Sequence, residues 1–404
     1  MRSSLLLLFV ALAAAGGDSR GTEPLPLDPD VGKGMELVAE RGFQLEDHFV
    51  TTEDGYILHM FRIPQPGAAP VLLQHGLLDS SFTWVNNFRN ESLAYILSDA
   101  GYDVWLGNNR GNFYSANHTT LAVEDNQFWA FTYDEMAKYD LPGMVRYIQR
   151  TTGQSNLGYV GHSEGTIQAF AGLTFPENAD VAASVSFFGA LAPVAYVSNM
   201  KSKLARAFAD ARVCEILALL GDRNLLDGDV LNVVAPELCR HGPHLCSAAL
   251  VPIVGPSLHY NTSRLQVYVS KTPAGTSMRN MMHWGQGIRV DGFNRFDYGS
   301  VKLNQKHYGA DSPPAYNLSA MTVPTALFSG GFDYLADVVD VGRLRDILAQ
   351  TGALVFESQQ PTYAHLDFTW APDAAQGVYS DLVKQLQQFL PIRVPGANGA
   401  EQIS

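Results

Sequence analysis

The stretch "GYVGHSEGTIQAF" (158–170) sets Gly161-His162-Ser163-Glu164-Gly165 between a β-branched and aromatic run and an Ala-rich stretch with helical character. A G-x-S-x-G pentapeptide at a strand-to-helix turn is the pattern of a nucleophile elbow, which lifts a serine onto a sharp bend. Gly161 and Gly165 make steric sense there, because a strained backbone at Ser163 brings its neighbours on both sides close together. The competing reading is a structural serine at a tight turn.

The chain around this stretch alternates strands with helices. Strand-like runs fall at 54–63, 69–76, 102–111, 156–163 and 183–193, and two later ones at 324–331 and 353–360. Helical stretches at 90–101, 139–153 and 338–352 lie between them, each closed by glycine. Near-continuous apolar strands joined by helical crossovers predict an α/β fold with a mostly parallel central sheet covered on both faces. Residues 195–320 break the rhythm with "KLARAFADARVCEILALL" (203–220) and the Met-rich "TSMRNMMHWGQGI" (276–288). They read as an inserted, mainly helical cap or lid. The expected organisation is a core over 24–194, the cap over 195–320, the rest of the core over 321–392 and a loose tail over 393–404.

Serine is a poor nucleophile at its free pKa and needs a base, itself oriented by an acid. His162 is too near in sequence, since adjacent side chains on an elbow point apart. His365, in "PTYAHLDFTW" (361–370) just after the last strand, is the predicted base. "SGGFDYLAD" (329–337) offers Asp333 and Asp337 as the orienting acid. Asp333 is preferred, because it lies at a strand's carboxyl end, where open α/β sheets place functional side chains. Asp337 is placed to cap the following helix. The order Ser163, Asp333, His365 is that of α/β-hydrolases.

Acyl transfer also needs donors for an oxyanion. The backbone N–H of Glu164, at a helix start, supplies one, and that of Leu77, in "LLQHGLLDSS" (72–81), supplies the other. His75 in the same turn is read as structural support, with an added catalytic role as the alternative. Apolar cap residues such as Trp284, Met281 and Met282 are expected to touch acyl chains or a lipid surface.

Composition bounds the rest. The chain has 404 residues, 46% of them hydrophobic, and a net charge of −13 without a Lys/Arg-rich block. That argues against nucleic acid as a partner. The start "MRSSLLLLFVALAAAGG" has the layout of a secretory signal peptide over 1–17, with cleavage expected between Ala15 and Gly21. No later uncharged apolar run approaches the roughly 18 residues a transmembrane segment needs. Asn90, Asn117, Asn261 and Asn317 each head an Asn-x-Ser/Thr glycosylation triplet. Of three cysteines, Cys239 and Cys246 flank a Gly-Pro turn and read as a disulfide. A zinc set of those two with His241 and His244 is the rival. Cys214 reads as a free thiol on an apolar helix face.

The motifs together resemble the acid lipases, the family of gastric lipase and lysosomal acid lipase. The likeness is carried by "TEDGYILHMFRIP" (52–64), "VLLQHGLLDSS" (71–81), "AGYDVWLGNNRGN" (100–112), "YVGHSEGT" (159–166), "NTSRLQVYVSKTPAGTS" (261–277), "SGGFDYLAD" (329–337) and "HLDFTW" (365–370). The resemblance implies an α/β-hydrolase with a mobile lid that hydrolyses triacylglycerol or sterol esters at acidic to neutral pH. It implies the triad Ser163, Asp333 and His365, oxyanion donors at Leu77 and Glu164, and a cap disulfide at Cys239 and Cys246. The reaction so read needs neither metal nor organic cofactor, and its partner is a neutral lipid at a lipid–water interface. The destination implied is the lysosome or the cell exterior. Two features depart from the family pattern: Glu164 stands where glutamine is usual, and a further cap cysteine is missing. Acyl transfer to an alcohol, or a silent hydrolase fold that only binds lipid, are the alternative functions.

Overall fold

The computed structural model describes residues 24–218, 224–225 and 231–392. The proposed signal peptide and the tail over 393–404 lie outside the described residues. In chain order the strands are β1 (Glu46–Thr51), β2 (Ile57–Ile63), β3 (Pro70–Gln74), β4 (Asp103–Gly107), β5 (Leu157–His162), β6 (Val185–Leu191), β7 (Asn224–Leu225), β8 (Thr276–Ser277), β9 (Thr325–Gly330) and β10 (Leu354–Gln360). Eight of them form one sheet in the order β1-β2-β4-β3-β5-β6-β9-β10, while β7 and β8 pair separately.

From β4 to β10 every neighbouring pair in the large sheet is parallel. The exception is the far edge, where β2 runs antiparallel to β4 and β1 antiparallel to β2. β1 was not among the strand-like runs. Its sequence, Glu-Asp-His-Phe-Val-Thr, buries one residue of six, because an edge strand facing solvent lacks the apolar run of a covered one. By contrast β3, β4, β5 and β9 are buried along their whole length.

Helices α1 (Leu141–Thr152) and α2 (Glu164–Gly172) cover the sheet near β5, α3 (Leu231–His241), α4 (Pro243–Val254) and α5 (Met278–Arg289) belong to the stretch between β6 and β9, and α6 (Val338–Thr351) joins β9 to β10. α1 shows why these segments are helical: Pro142 sits in its first turn, where no N–H is needed, and Gly153 ends it in the left-handed conformation at φ 70°. Its buried Leu141, Met144, Val145 and Ile148 recur at helical spacing and form the face turned to the core.

Between β6 and β9 the chain is mainly helical. The run over 203–220 is not one helix: Lys203–Asp210 and Val213–Ala218 are separated at Arg212, whose φ is 50°. Trp284, Ile288 and Phe293 from this stretch pack into the same hydrophobic cluster as the sheet, and Cys239, Leu265, Tyr268, Val269 and Trp370 form a second cluster. A disulfide joins Cys239 on α3 to Cys246 on α4, with Cα atoms 5.0 Å apart. With both thiols so engaged, the zinc alternative with His241 and His244 falls away, and no group among the described residues is arranged to hold a metal. Cys214 is a free, half-buried thiol whose pKa burial pushes up to about 11. No helix among the described residues is long and apolar enough to cross a membrane.

Candidate active site

The three loops that matter leave β5, β9 and β10 at their carboxyl ends, so sheet topology brings them to one edge. Ser163 follows β5 directly, with φ 53° and ψ −116°, a conformation that side-chain-bearing residues rarely adopt. Its flanking glycines are dictated by space. A Cβ on Gly161 would lie 2.7 Å from the Gly165 carbonyl carbon, and one on Gly165 would lie 2.5 Å from the Gln74 carbonyl oxygen. The Ser163 N–H donates to the Leu191 carbonyl at 3.1 Å, which ties the bend to β6.

His365 reaches this bend from the loop after β10. The Ser163 hydroxyl donates to His365 Nε2 at 2.7 Å, and His365 Nδ1–H donates to the two oxygens of Asp333 at 3.0 and 2.9 Å. All three residues are buried. Asp333 Oδ1 also accepts the N–H groups of Leu335 and Ala336, each at 2.8 Å, which fixes the carboxylate against its own loop. Asp337 instead accepts the Val339 N–H at 2.9 Å and caps α6. Of the two acids, only Asp333 meets His365.

The Gly76–Leu77 turn lies against the bend: a Cβ on Gly76 would stand 3.0 Å from the Ser163 Cβ. The N–H groups of Leu77 and Glu164 make no hydrogen bond within the described residues, and Glu164 opens α2, where the helix leaves its first N–H groups free. His75 is occupied elsewhere. Its Nδ1–H donates to the Gly76 carbonyl at 2.8 Å, while Nε2 accepts the Asn109 N–H at 3.1 Å and the Asn112 amide at 3.2 Å. Burial pushes its pKa down to about 4, which keeps it neutral and in that tautomer.

Two residues have roles that local sequence did not reveal. The His162 Nε2–H donates to the His365 carbonyl at 2.9 Å, and burial depresses its pKa to about 3. A neutral His162 therefore supports the backbone of the residue that faces Ser163. Only a long-range contact marks it, one that joins residues 203 positions apart. Trp284 is the second. Expected to touch acyl chains or a lipid surface, it is buried, and its indole N–H donates to Glu164 Oε1 at 2.7 Å. Met281 and Met282 beside it are half-buried.

Glu164 thus anchors α5 as well as opening α2. The Asn280 amide donates to the same Oε1 at 2.6 Å, and Asn280 Oδ1 in turn accepts the Tyr133 N–H at 2.8 Å. Burial pushes the Glu164 carboxyl up to about 7, although the Trp284 and Asn280 donors pull the other way. Elsewhere, Asn90, Asn117 and Asn317 are exposed, whereas Asn261 is half-buried and caps a short turn by accepting the Ser263 N–H at 3.2 Å.

The fold and this edge define an α/β-hydrolase, and the family comparisons agree. Residues 69–187 match the model described as alpha/beta hydrolase fold, and 35–88 match a partial alpha/beta-hydrolase lipase region. A bacterial membrane phospholipase A of known structure shares the fold at a TM-score of 0.50, with 16% identity over 95% of this chain and 99% of that one. Gastric triacylglycerol lipase of Homo sapiens is 42% identical over 400 residues, 95% of this chain and 99% of that protein. Lysosomal acid lipase/cholesteryl ester hydrolase of Homo sapiens is 40% identical over 404 residues, 96% and 99% of the two chains. The chain belongs to the acid lipase family and is an ester hydrolase of the lipase class.

Proposed function

We propose that this protein is a secretory-pathway lipase that releases fatty acids from neutral lipid esters, triacylglycerol or sterol ester, through an acyl-enzyme on Ser163. The observation that carries this reading is the unbroken chain from the Ser163 hydroxyl through the His365 imidazole to the Asp333 carboxylate, beside the Leu77 and Glu164 N–H groups, which make no hydrogen bond among the described residues. Ser163 Oγ attacks the ester carbonyl carbon while His365 Nε2 takes its proton. The resulting oxyanion accepts the Leu77 and Glu164 N–H groups, placed before any charge develops. Collapse of the adduct expels the alcohol, which His365 protonates; a water then enters by the same proton transfer and frees the acid. Asp333 holds the imidazole in the Nδ1–H tautomer throughout.

The substrate is presented at a lipid–water interface, with the cap stretch between β6 and β9 over the site. An amino-terminal leader and glycans at the exposed Asn90, Asn117 and Asn317 fit passage through the secretory pathway to the lysosome or the exterior. The test is a panel of triolein, cholesteryl oleate and tributyrin emulsions, offered to the purified glycoprotein from pH 4 to pH 8 with and without an acceptor alcohol. Fatty acid release from at least one neutral ester is the expected outcome. Release from none of them, or transfer to the alcohol exceeding release, would overturn the reading.

A further inference from the structure

The residues that hold His365 in place come from a distant part of the chain. Helix α4 ends at Val254, and the Val254 carbonyl accepts two N–H groups, from Tyr334 at 3.4 Å and from His365 at 3.2 Å. Tyr334 follows Asp333 in sequence, so one oxygen atom touches both the acid loop and the base loop. A backbone carbonyl at a helix end has no rotamers to lose, which makes it a stiffer reference point than any side chain.

The segment 254–260 then runs past both loops, touching the acid loop at one further point and the base loop at two. Gly255 turns the chain at φ 99°, and a Cβ there would overlap the Phe332 carbonyl oxygen, so only glycine lets the two loops approach this closely. Ser257 donates its hydroxyl proton to Asp367 Oδ1 at 2.5 Å, and Asp367 Oδ2 accepts the Ala364 N–H at 2.6 Å. The carboxylate thereby couples the strap to the residue before His365. His259 closes the set, with Nδ1 2.8 Å from Asp373 Oδ2 and Nε2 2.9 Å from the Thr362 hydroxyl. Ser257 also accepts the N–H groups of His259 and Tyr260, at 3.0 and 3.2 Å, which folds the strap on itself.

We propose that the strap over 254–260 is the positioning element of the base: it fixes the His365 loop against the Asp333 loop, so that Nε2 stays within reach of the Ser163 hydroxyl. Val254, Gly255 and Ser257 act through His365 and touch no substrate. The disulfide anchors the same helix, since Cys246 sits two turns before its end, so the stiffness of the strap begins in the cap stretch. This inference rests on Ser163, His365 and Asp333 acting as the triad, and its test separates the two.

The full chain is prepared as Ser257→Ala, Ser257→Thr and Gly255→Ala. Each is measured for kcat and KM on a soluble p-nitrophenyl butyrate, for the low-field proton resonance of the His365–Asp333 hydrogen bond, and for labelling by a fluorophosphonate. Ser257→Ala is expected to lower kcat about tenfold with KM within about twofold, because misplacing a catalytic group slows chemistry without weakening binding. The low-field resonance should broaden, and Ser257→Thr, which keeps the hydroxyl, should restore both. Gly255→Ala should cost about 100-fold in kcat, and if it does not fold, Ser257→Ala decides alone. Unchanged kcat and resonance in Ser257→Ala, or a loss confined to KM, would overturn the strap. Wild-type protein labelled at no serine, or at one other than Ser163, would overturn the triad instead.

Discussion

The two halves of the site are held by different means. Ser163 is fixed by close packing of backbone: Gly161 against Gly165, Gly165 against Gln74 on β3, and the bend hydrogen-bonded to β6. His365 and Asp333 sit on loops tied by hydrogen bonds from afar, the His162 ring, the Val254 carbonyl and the Ser257–Asp367 pair, with the Leu335 and Ala336 N–H groups adding local bonds to Asp333. The nucleophile half is therefore intolerant of added atoms, whereas the base half is intolerant of lost hydrogen bonds. Substitutions on the two sides should fail in different ways, one in folding and the other in turnover.

The largest effect is expected on the base side. Asp333→Asn should leave the melting transition near wild type but lower kcat by about 10⁴, since a neutral amide cannot stabilise the imidazolium or enforce the Nδ1–H tautomer. Asp337→Asn, which disturbs the cap of α6 and removes an ion pair with Lys201 at 2.8 Å, should keep turnover and lose about 1–2 kcal/mol of stability at most. The reverse ranking in a steady-state assay would move the orienting acid to Asp337. On the nucleophile side, Gly165→Ala should cost about 3 kcal/mol or more in urea unfolding, because its new methyl meets the Gln74 carbonyl and neither backbone can yield. A wild-type midpoint in that variant would mean that α2 and β3 are not so closely packed.

How much of this was legible in the sequence follows the same division. The elbow could be read from five residues because its pattern is short: a positive φ at the serine and two positions without room for a Cβ, even though at Gly165 the obstacle is the distant Gln74 carbonyl. His365 and Asp333 could be ranked because each follows a strand that belongs to the sheet, and Asp337 because a helix start needs a cap. The strap, the support from His162 and the inward use of Trp284 depend on contacts between segments far apart in the chain, and no spacing rule marks them. β1 escaped notice for a related reason, since a half-exposed edge strand carries no apolar run. Trp284 shows how a residue type misleads, because an aromatic in a Met-rich helix suits a lipid surface as well as an indole donor to a buried acid.

A pH-dependent effect concerns Glu164, where the bend at Ser163 meets the stretch between β6 and β9. The groups facing its carboxyl are Asn280 and Trp284 on α5, both uncharged, and Tyr133, whose own pKa the Glu164 charge helps to raise. Its carboxyl pKa is about 7 in the fold against a usual 4.5. Between those values the native state holds the extra proton, so this contribution to stability is complete below the usual value and is lost as pH rises through about 7. Glu164→Gln keeps an oxygen to accept from Asn280 and Trp284 and removes the titration. Unfolding followed at pH 5 and pH 8 should show the variant gaining at most about 3 kcal/mol over wild type at pH 8 and little at pH 5. Turnover should rise a few-fold at neutral pH, because an ionised carboxylate beside the oxyanion opposes the developing charge. Parallel pH profiles of the two proteins would show that this charge does not reach the site.

The acyl-enzyme on Ser163 is the step most directly open to measurement. Rapid acid quench of wild-type protein during turnover of a p-nitrophenyl ester, followed by peptide mass spectrometry, should find the acyl mass on the peptide that contains Ser163. Ser163→Ala should carry no acyl group and release no fatty acid above the uncatalysed rate. An acyl group on another residue, or turnover retained in Ser163→Ala, would contradict it.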